Sequence, residues 1–173
     1  PGTPSGPGGP VPGAIRGPGI VLTLVYSALN GETMEPERLR LARIPTPIDS
    51  VEGLMENRTL LVKRDDLTGS ELTGNKIRKL EYLLHEAKTE KKSRVITCGG
   101  IQSNHCRATA IAAAKIGLKS LLFLRTDNPP SPATLPTGNL KLCRTVGAEI
   151  QFINHKEYAG RSAIMGEAAG SDG

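Results

Sequence analysis

The chain has 173 residues, room for one domain or a little more. Aromatics are 3% of it and Trp is absent, so any core must be built from Leu, Ile, Val and Ala. A net charge of +5, mild and dispersed, argues against a nucleic-acid partner, and three Cys make no disulfide framework.

The beginning differs in composition from the rest. Of the first 19 residues, 13 are Pro or Gly. Such a stretch cannot bury enough apolar surface to offset its ordering entropy, so residues 1–33 are expected to be a disordered leader or extraneous sequence, with Met34 as a plausible native start. They carry no clear targeting signal. The cytoplasm is the expected location, with the mitochondrion as the alternative. No apolar run approaches the ~20 residues of a membrane span.

Pro45-Thr-Pro47 forces extended backbone. Thr59 to Lys63 reads as a short strand, with Lys63-Arg-Asp-Asp66 at its C-terminal end. Leu67 to Gly74, with two Gly, two Thr and a Ser, is loop. A helix is expected from Asn75, with Ile77, Leu80, Leu83 and Leu84 as its apolar stripe. Arg94 to Cys98 is a second strand, which Gly99-Gly100 should break. The Ala-rich stretch Ala108 to Ile116 is a helix and Leu118 to Leu124 a buried strand. Asn128 to Pro136 holds four Pro and must be loop. Leu140 to Val146 is helical and Ala148 to Ile153 is another strand. This alternation argues for right-handed βαβ units: an α/β fold whose parallel sheet carries helices on both faces. From Arg161 a helix opens and then ceases, as in the front part of a longer protein.

Ligands of open α/β sheets collect at the C-terminal edge of the strands. Two Gly-bearing loops, Leu67 to Lys76 and Gly99 to His105, run from a strand into a helix start there. Each offers free N–H groups and a helix dipole. Lys76 in the first turn of a helix is disfavoured by that dipole. With partial burial it would lose its proton readily and form Schiff bases with carbonyl compounds; an ordinary exposed Lys beside Arg78 and Lys79 is the alternative. Gln102-Ser-Asn-His105 is either a helix cap or a ligand loop. His105 is either a general base or a hydrogen-bonded structural residue. No nucleophile elbow surrounds Ser103, and the Cys spacings suit no metal site.

Five segments stand in a fixed order: Lys63-Arg-Asp-Asp-Leu-Thr-Gly69, Gly74-Asn-Lys-Ile-Arg-Lys-Leu80, Gly99-Gly-Ile-Gln-Ser-Asn-His105, Gly138-Asn-Leu-Lys-Leu142 and Gly147-Ala-Glu149. Together they resemble the D-cysteine desulfhydrase and 1-aminocyclopropane-1-carboxylate deaminase family. These are pyridoxal 5'-phosphate enzymes of fold type II, the tryptophan synthase β-like class. The likeness runs from about Leu41 to Tyr158.

The resemblance implies a role for each site residue. Lys76 matches the lysine that carries the cofactor and then acts as general base. Asn104 matches the residue that hydrogen-bonds the pyridine 3′-oxygen. Ser103 matches the hydroxyl near the substrate carboxylate, and Gln102 and His105 line the same loop. His105, where the deaminases tend to carry Gln, favours the desulfhydrase branch.

The implied reaction is α,β-elimination on a small D-amino acid such as D-cysteine. Ring-opening of the cyclopropane amino acid is the alternative, and a shortened α/β module without catalysis is another. The resemblance also implies a homodimer, a large domain beginning over 34–76, a smaller one over 77–157, and a truncated helix over 158–173. The phosphate cup and the partner of the pyridine nitrogen would lie outside this chain.

Overall fold

A computed structural model describes residues 36–55 and 58–170. The expected disorder of residues 1–33, and Met34, lie outside them. β1 (Ile48–Met55) and β2 (Arg58–Lys63) form an antiparallel pair, with Ile48 opposite Lys63 and Val51 opposite Leu60. The strand expected over 59–63 is therefore present, but it belongs to this two-stranded ribbon and not to the parallel sheet. After it come a 3₁₀ turn (Asp65–Leu67) and α1 (Lys76–Thr89). β3 (Arg94–Gly100), α2 (Asn104–Lys115), β4 (Lys119–Arg125), α3 (Gly138–Thr145) and β5 (Glu149–Ile153) then alternate. Two short helices follow, α4 (His155–Ala159) and α5 (Arg161–Gly170).

β3, β4 and β5 form a parallel sheet in that order, with Cys98 beside Phe123 and Phe123 beside Gln151. The central strand β4 is buried from Ser120 to Leu124 and shows the period of two. Leu122 and Leu124 pack with Cys106 and Ala110 of α2 and with Leu140 and Cys143 of α3. Leu121 and Phe123 pack the other way, with Ile153 and with Ile164, Met165 and Ala168 of α5. Helices thus cover both faces, as expected. Each fully buried Leu contributes about 1.5–3 kcal/mol to that sandwich.

Gly99 and Gly100 do not break β3; they stay paired with Leu124 and Arg125 of β4. The reason is a close approach. A Cβ on Gly99 would sit 2.7 Å from both Ser103 Oγ and Cys106 Sγ. Glycine lets the strand run beneath the start of α2. That helix begins at Asn104, earlier than its Ala-rich run, because Ser103 caps it by accepting a hydrogen bond from Cys106 N at 3.2 Å.

α1 lies against α2. Ile77, Leu80 and Leu84 join Ala108, Ile111 and Ala112 in one cluster with Leu72, and Leu39 and Leu41 pack onto it. One member of the buried stripe is an acid. Glu81 is 1% exposed. Its carboxylate accepts the N–H groups of Leu41 at 2.8 Å and Ala42 at 2.7 Å and pairs with Arg38. The segment before β1 is thereby fastened to α1.

Candidate active site

The first loop is closed on itself. Thr68 is fully buried, with Oγ1 3.0 Å from the carbonyls of both Asp65 and Leu72. Gly74 N donates to Asp65 O at 2.9 Å. Gly74 has φ +96, a left-handed conformation that few other residues adopt. The Asp65 carboxylate takes Arg78 Nε at 2.9 Å, one terminal nitrogen of Arg78 at 2.7 Å and the Thr46 hydroxyl at 2.9 Å. That guanidinium, first among its neighbours, draws Asp65 down to about 2. Lys63 donates to Thr46 O. The charged run after β2 is therefore a bolt between the loop and the first turn of α1. Lys76 is the first residue of that helix. Its side chain is exposed, the second of the two settings the sequence left open, and Nζ lies 3.1 Å from Asn75 Oδ1.

The second loop spreads its four polar side chains in different directions. Gln102 reaches the start of α3: its Nε2 donates to Thr137 O at 3.2 Å, and its Oε1 accepts from Asn139 N at 2.8 Å. Ser103 is the cap of α2; as acceptor in that bond it keeps its own O–H as a donor. Asn104 is exposed and accepts at Oδ1 from Asn139 Nδ2 at 2.9 Å. His105 turns back to β3, with Nε2 2.8 Å from Thr97 Oγ1. Burial, and then the positive charges of Lys76 and Lys79, push the imidazole below its ordinary 6.5. His105 is thus neutral at pH 7 and within electrostatic reach of the Lys76 amine.

A strut joins the two loops. Arg107 of α2 donates to Thr73 O at 3.2 Å and Thr73 Oγ1 at 3.0 Å, one residue before Gly74. Arg107, Asn139 and Thr97 are the supporting residues that sequence reasoning missed. The signal at Arg107 is a lone cation just ahead of an Ala-rich run, and that at Asn139 is only its place in Gly138-Asn-Leu-Lys-Leu142. Beside the polar loop an open cleft runs past Gly100, Gln102, Ser103, Arg125, Asp127 and His155. In it Asp127 accepts from His155 N at 3.0 Å. Among the described residues no cluster of three or more His, Cys, Asp or Glu is placed to hold a metal, and no helix is long and apolar enough to cross a membrane.

These residues fit a carbonyl cofactor with an anionic ring oxygen. A primary amine stands exposed at one helix start. An amide whose oxygen is already engaged stands exposed at the other, leaving its N–H₂ to donate. An α/β sheet with such groups beside its C-terminal edge offers what an aldehyde cofactor requires, an amine and an amide N–H₂.

Residues 39–173 match the family of pyridoxal-phosphate dependent enzymes, and the chain belongs to it. The architecture is that of its fold type II members. The chain is 48% identical over 133 residues to the bifunctional D-cysteine desulfhydrase/1-aminocyclopropane-1-carboxylate deaminase, mitochondrial, of Arabidopsis thaliana. That match takes in 74% of this chain and 32% of the relative. It is 45% identical over 120 residues to the D-cysteine desulfhydrase of Salmonella paratyphi B, covering 66% of this chain and 36% of that one. The crystal structure of an ACC deaminase homologue superposes with a TM-score of 0.58 at 38% identity, over 67% of this chain and 34% of the other. The chain spans about a third of the length of the curated relatives it matches.

Proposed function

We propose that this chain supplies the lysine-bearing part of a pyridoxal-phosphate lyase that acts on a small D-amino acid, with D-cysteine as the substrate. One observation carries the reading. Two loops, far apart in sequence and tied by Arg107 to Thr73, bring an exposed lysine amine and an exposed amide donor to one sheet edge. The bound cofactor supplies an electron sink. Lys76 would hold it covalently, and its Nζ, once free, would take the proton from the substrate Cα as general base. Asn104 donates to the ring oxygen, the Ser103 hydroxyl donates to the substrate carboxylate, and Gln102 and neutral His105 line the substrate's side. Sulfide leaves from Cβ. With one water taken up, D-cysteine gives pyruvate, ammonia and hydrogen sulfide. The active form is a homodimer in this reading, with residues 34–76 opening a large domain and 77–157 forming a smaller one.

The names of the relatives carry a second reading, ring-opening of 1-aminocyclopropane-1-carboxylate. Both are tested on one preparation of full-length protein. Borohydride reduction and peptide mapping should place a pyridoxyl group on Lys76; a label on Lys63 or Lys79 refutes the assignment. On the same preparation kcat/KM should be higher for D-cysteine than for the cyclopropane amino acid, and the reverse order selects the second reading.

A further inference from the structure

We propose that Asn139 is a positioning residue: it fixes which end of the Asn104 amide faces outward, so that a donor and not an acceptor meets the ring oxygen of the cofactor. This rests on the reading of Asn104 given above. It goes beyond that reading by assigning a role to a residue on a different element, 35 positions away in sequence.

The argument is one of polarity. A side-chain amide has one acceptor end and one donor end, and its neighbours decide which way it turns. Here backbone atoms, whose roles are fixed, decide every step. Thr137 O only accepts, so the end of Gln102 that reaches it at 3.2 Å is Nε2. Asn139 N only donates, so the end of Gln102 that meets it at 2.8 Å is Oε1. Gln102 O only accepts, so the end of Asn139 at 2.8 Å from it is Nδ2. That nitrogen has a second hydrogen, and it lies 2.9 Å from the Asn104 side chain, which must answer with Oδ1. Asn104 Nδ2 is left pointing away from α3, and no described residue pairs with it. The orientation of the loop's one amide nitrogen without a partner among the described residues is thus dictated by the backbone at the start of α3 and at Gln102.

The same network places α3 where it is. Gly138 has φ +55, and a Cβ there would come 2.6 Å from Gln102 Oε1. Asn139 therefore has two separable effects, docking α3 and polarising Asn104. Asn139→Asp compared with Asn139→Ala separates them, since both lose the bond to Gln102 O and only the acid turns Asn104. An acid in the first turn of a helix suits the dipole, and the backbone N–H of residue 139 still reaches Gln102. The carboxylate has no hydrogen for Asn104 or for Gln102 O, so the docking bond to that carbonyl is lost as it is in Asn139→Ala. It accepts from Asn104 Nδ2 instead, the amide turns over, and Oδ1 faces the ring oxygen. Asn139→Ala also loses the side-chain contacts to the loop, but leaves Asn104 free to turn either way.

The test uses the full-length protein, with added pyridoxal 5'-phosphate as the probe. Its readouts are the cofactor dissociation constant, the pH midpoint of the bound cofactor's visible absorbance, and the thermal midpoint of the cofactor-free protein. Asn104→Ala should weaken the cofactor by about tenfold or more, the loss expected for a hydrogen bond to a charged group. Asn139→Asp should weaken it at least as much and move the absorbance midpoint upward, since an acceptor facing the oxygen disfavours its ionised form. The cofactor-free thermal midpoint should fall in both Asn139 variants, because both lose the bond to Gln102 O. Asn139→Ala should weaken the cofactor less than Asn139→Asp. In the Asn104→Ala background, Asn139→Asp should add little. The proposal is overturned if Asn139→Asp binds the cofactor like the parent, if Asn139→Ala is as damaging as Asn139→Asp, or if the effect of Asn139→Asp persists in full without the Asn104 amide. A normal dissociation constant for Asn104→Ala itself overturns the assignment of Asn104 that the proposal rests on, and with it the proposal.

Discussion

Gly99→Ala should destabilise the protein far beyond what one added methyl group ordinarily does. The new Cβ would stand 2.7 Å from Cys106 Sγ, 2.7 Å from Ser103 Oγ and 2.8 Å from Ser103 Cβ. Neither neighbour can retreat cheaply. Cys106 is 1% exposed, enclosed by Ala110, Leu124, Leu140 and Cys143. Ser103 is held by its cap bond to Cys106 N. Overpacking of this kind costs about 1–3 kcal/mol, and displacing a Ser cap costs about 1 kcal/mol more. The expected loss is therefore about 2–4 kcal/mol, a large share of the ~5–15 kcal/mol that a folded protein has. Urea unfolding of the full-length protein measures it as a lower midpoint at unchanged slope. Removing Sγ opens half of the obstructed space, so Cys106→Ala in the Gly99→Ala background should cost less than it does alone. The two substitutions should be non-additive by at least about 0.5 kcal/mol. A loss below about 0.5 kcal/mol for Gly99→Ala, or additivity within error, would refute the claim that glycine is there to let β3 pass beneath α2.

Two further outcomes follow from the same packing. Glu81→Ala leaves the N–H groups of Leu41 and Ala42 without their acceptor and should cost about 3–5 kcal/mol, whereas Glu81→Gln keeps an acceptor and should cost less. Limited proteolysis at Arg40 and Arg43 should quicken in the order parent, Glu81→Gln, Glu81→Ala; equal rates in all three would show that the carboxylate does not fasten the segment. His105 is held below its ordinary 6.5 by burial and then by Lys76 and Lys79, so the unfolded chain binds a proton there before the folded one does. The stability of the parent relative to His105→Gln should accordingly shrink as pH falls from 7.5 through 6.5, and a difference that stays constant down to pH 5 would place the imidazole outside that field.

The parts of the fold legible in the sequence are those whose causes are local. Within the run over Leu118 to Leu124, Leu121 to Leu124 is apolar without alternation because both faces of β4 are covered, and Gly117 and Gly147 stop the helices on either side of it. β1 was not legible. It carries Asp49 and Glu52, it pairs only with β2, and much of the ribbon is exposed, so backbone pairing and not a buried face holds it. Glu81 was hidden for the opposite reason: it sits within an apolar stripe, and the N–H groups that justify an acid there lie 39 and 40 residues upstream. The same holds at the candidate site. Its loops announced themselves through Gly74, Lys76 and the polar run 102–105. Its supports, Arg107 on Thr73 and Asn139 on Asn104, are contacts across 34 and 35 residues that no local pattern encodes.

That distance also resolves what the polar loop is. A helix cap and a ligand loop are alternatives only if the four residues act as one unit. Backbone geometry forbids that, because successive side chains at a strand-to-helix turn diverge. Ser103 points back over the first turn and caps it. Gln102 points across to α3 and clamps it. His105 falls on the inner side of α2 and meets Thr97 of the neighbouring strand. Only the Asn104 side chain is left on the outer side, and its oxygen is taken by Asn139. Three of the four side chains bond to the frame, and the Asn104 amide is turned by a fifth residue that lies outside the loop. Lys76 follows the same plan: its loop is locked by Thr68, Asp65 and Arg78, and its side chain is exposed, with Nζ bonded to the neighbouring Asn75. In the proposed site, an exposed amine and an oriented amide donor stand at the tips of a hydrogen-bonded support. Substitutions in the support should therefore disturb the chemistry as much as substitutions at the tips.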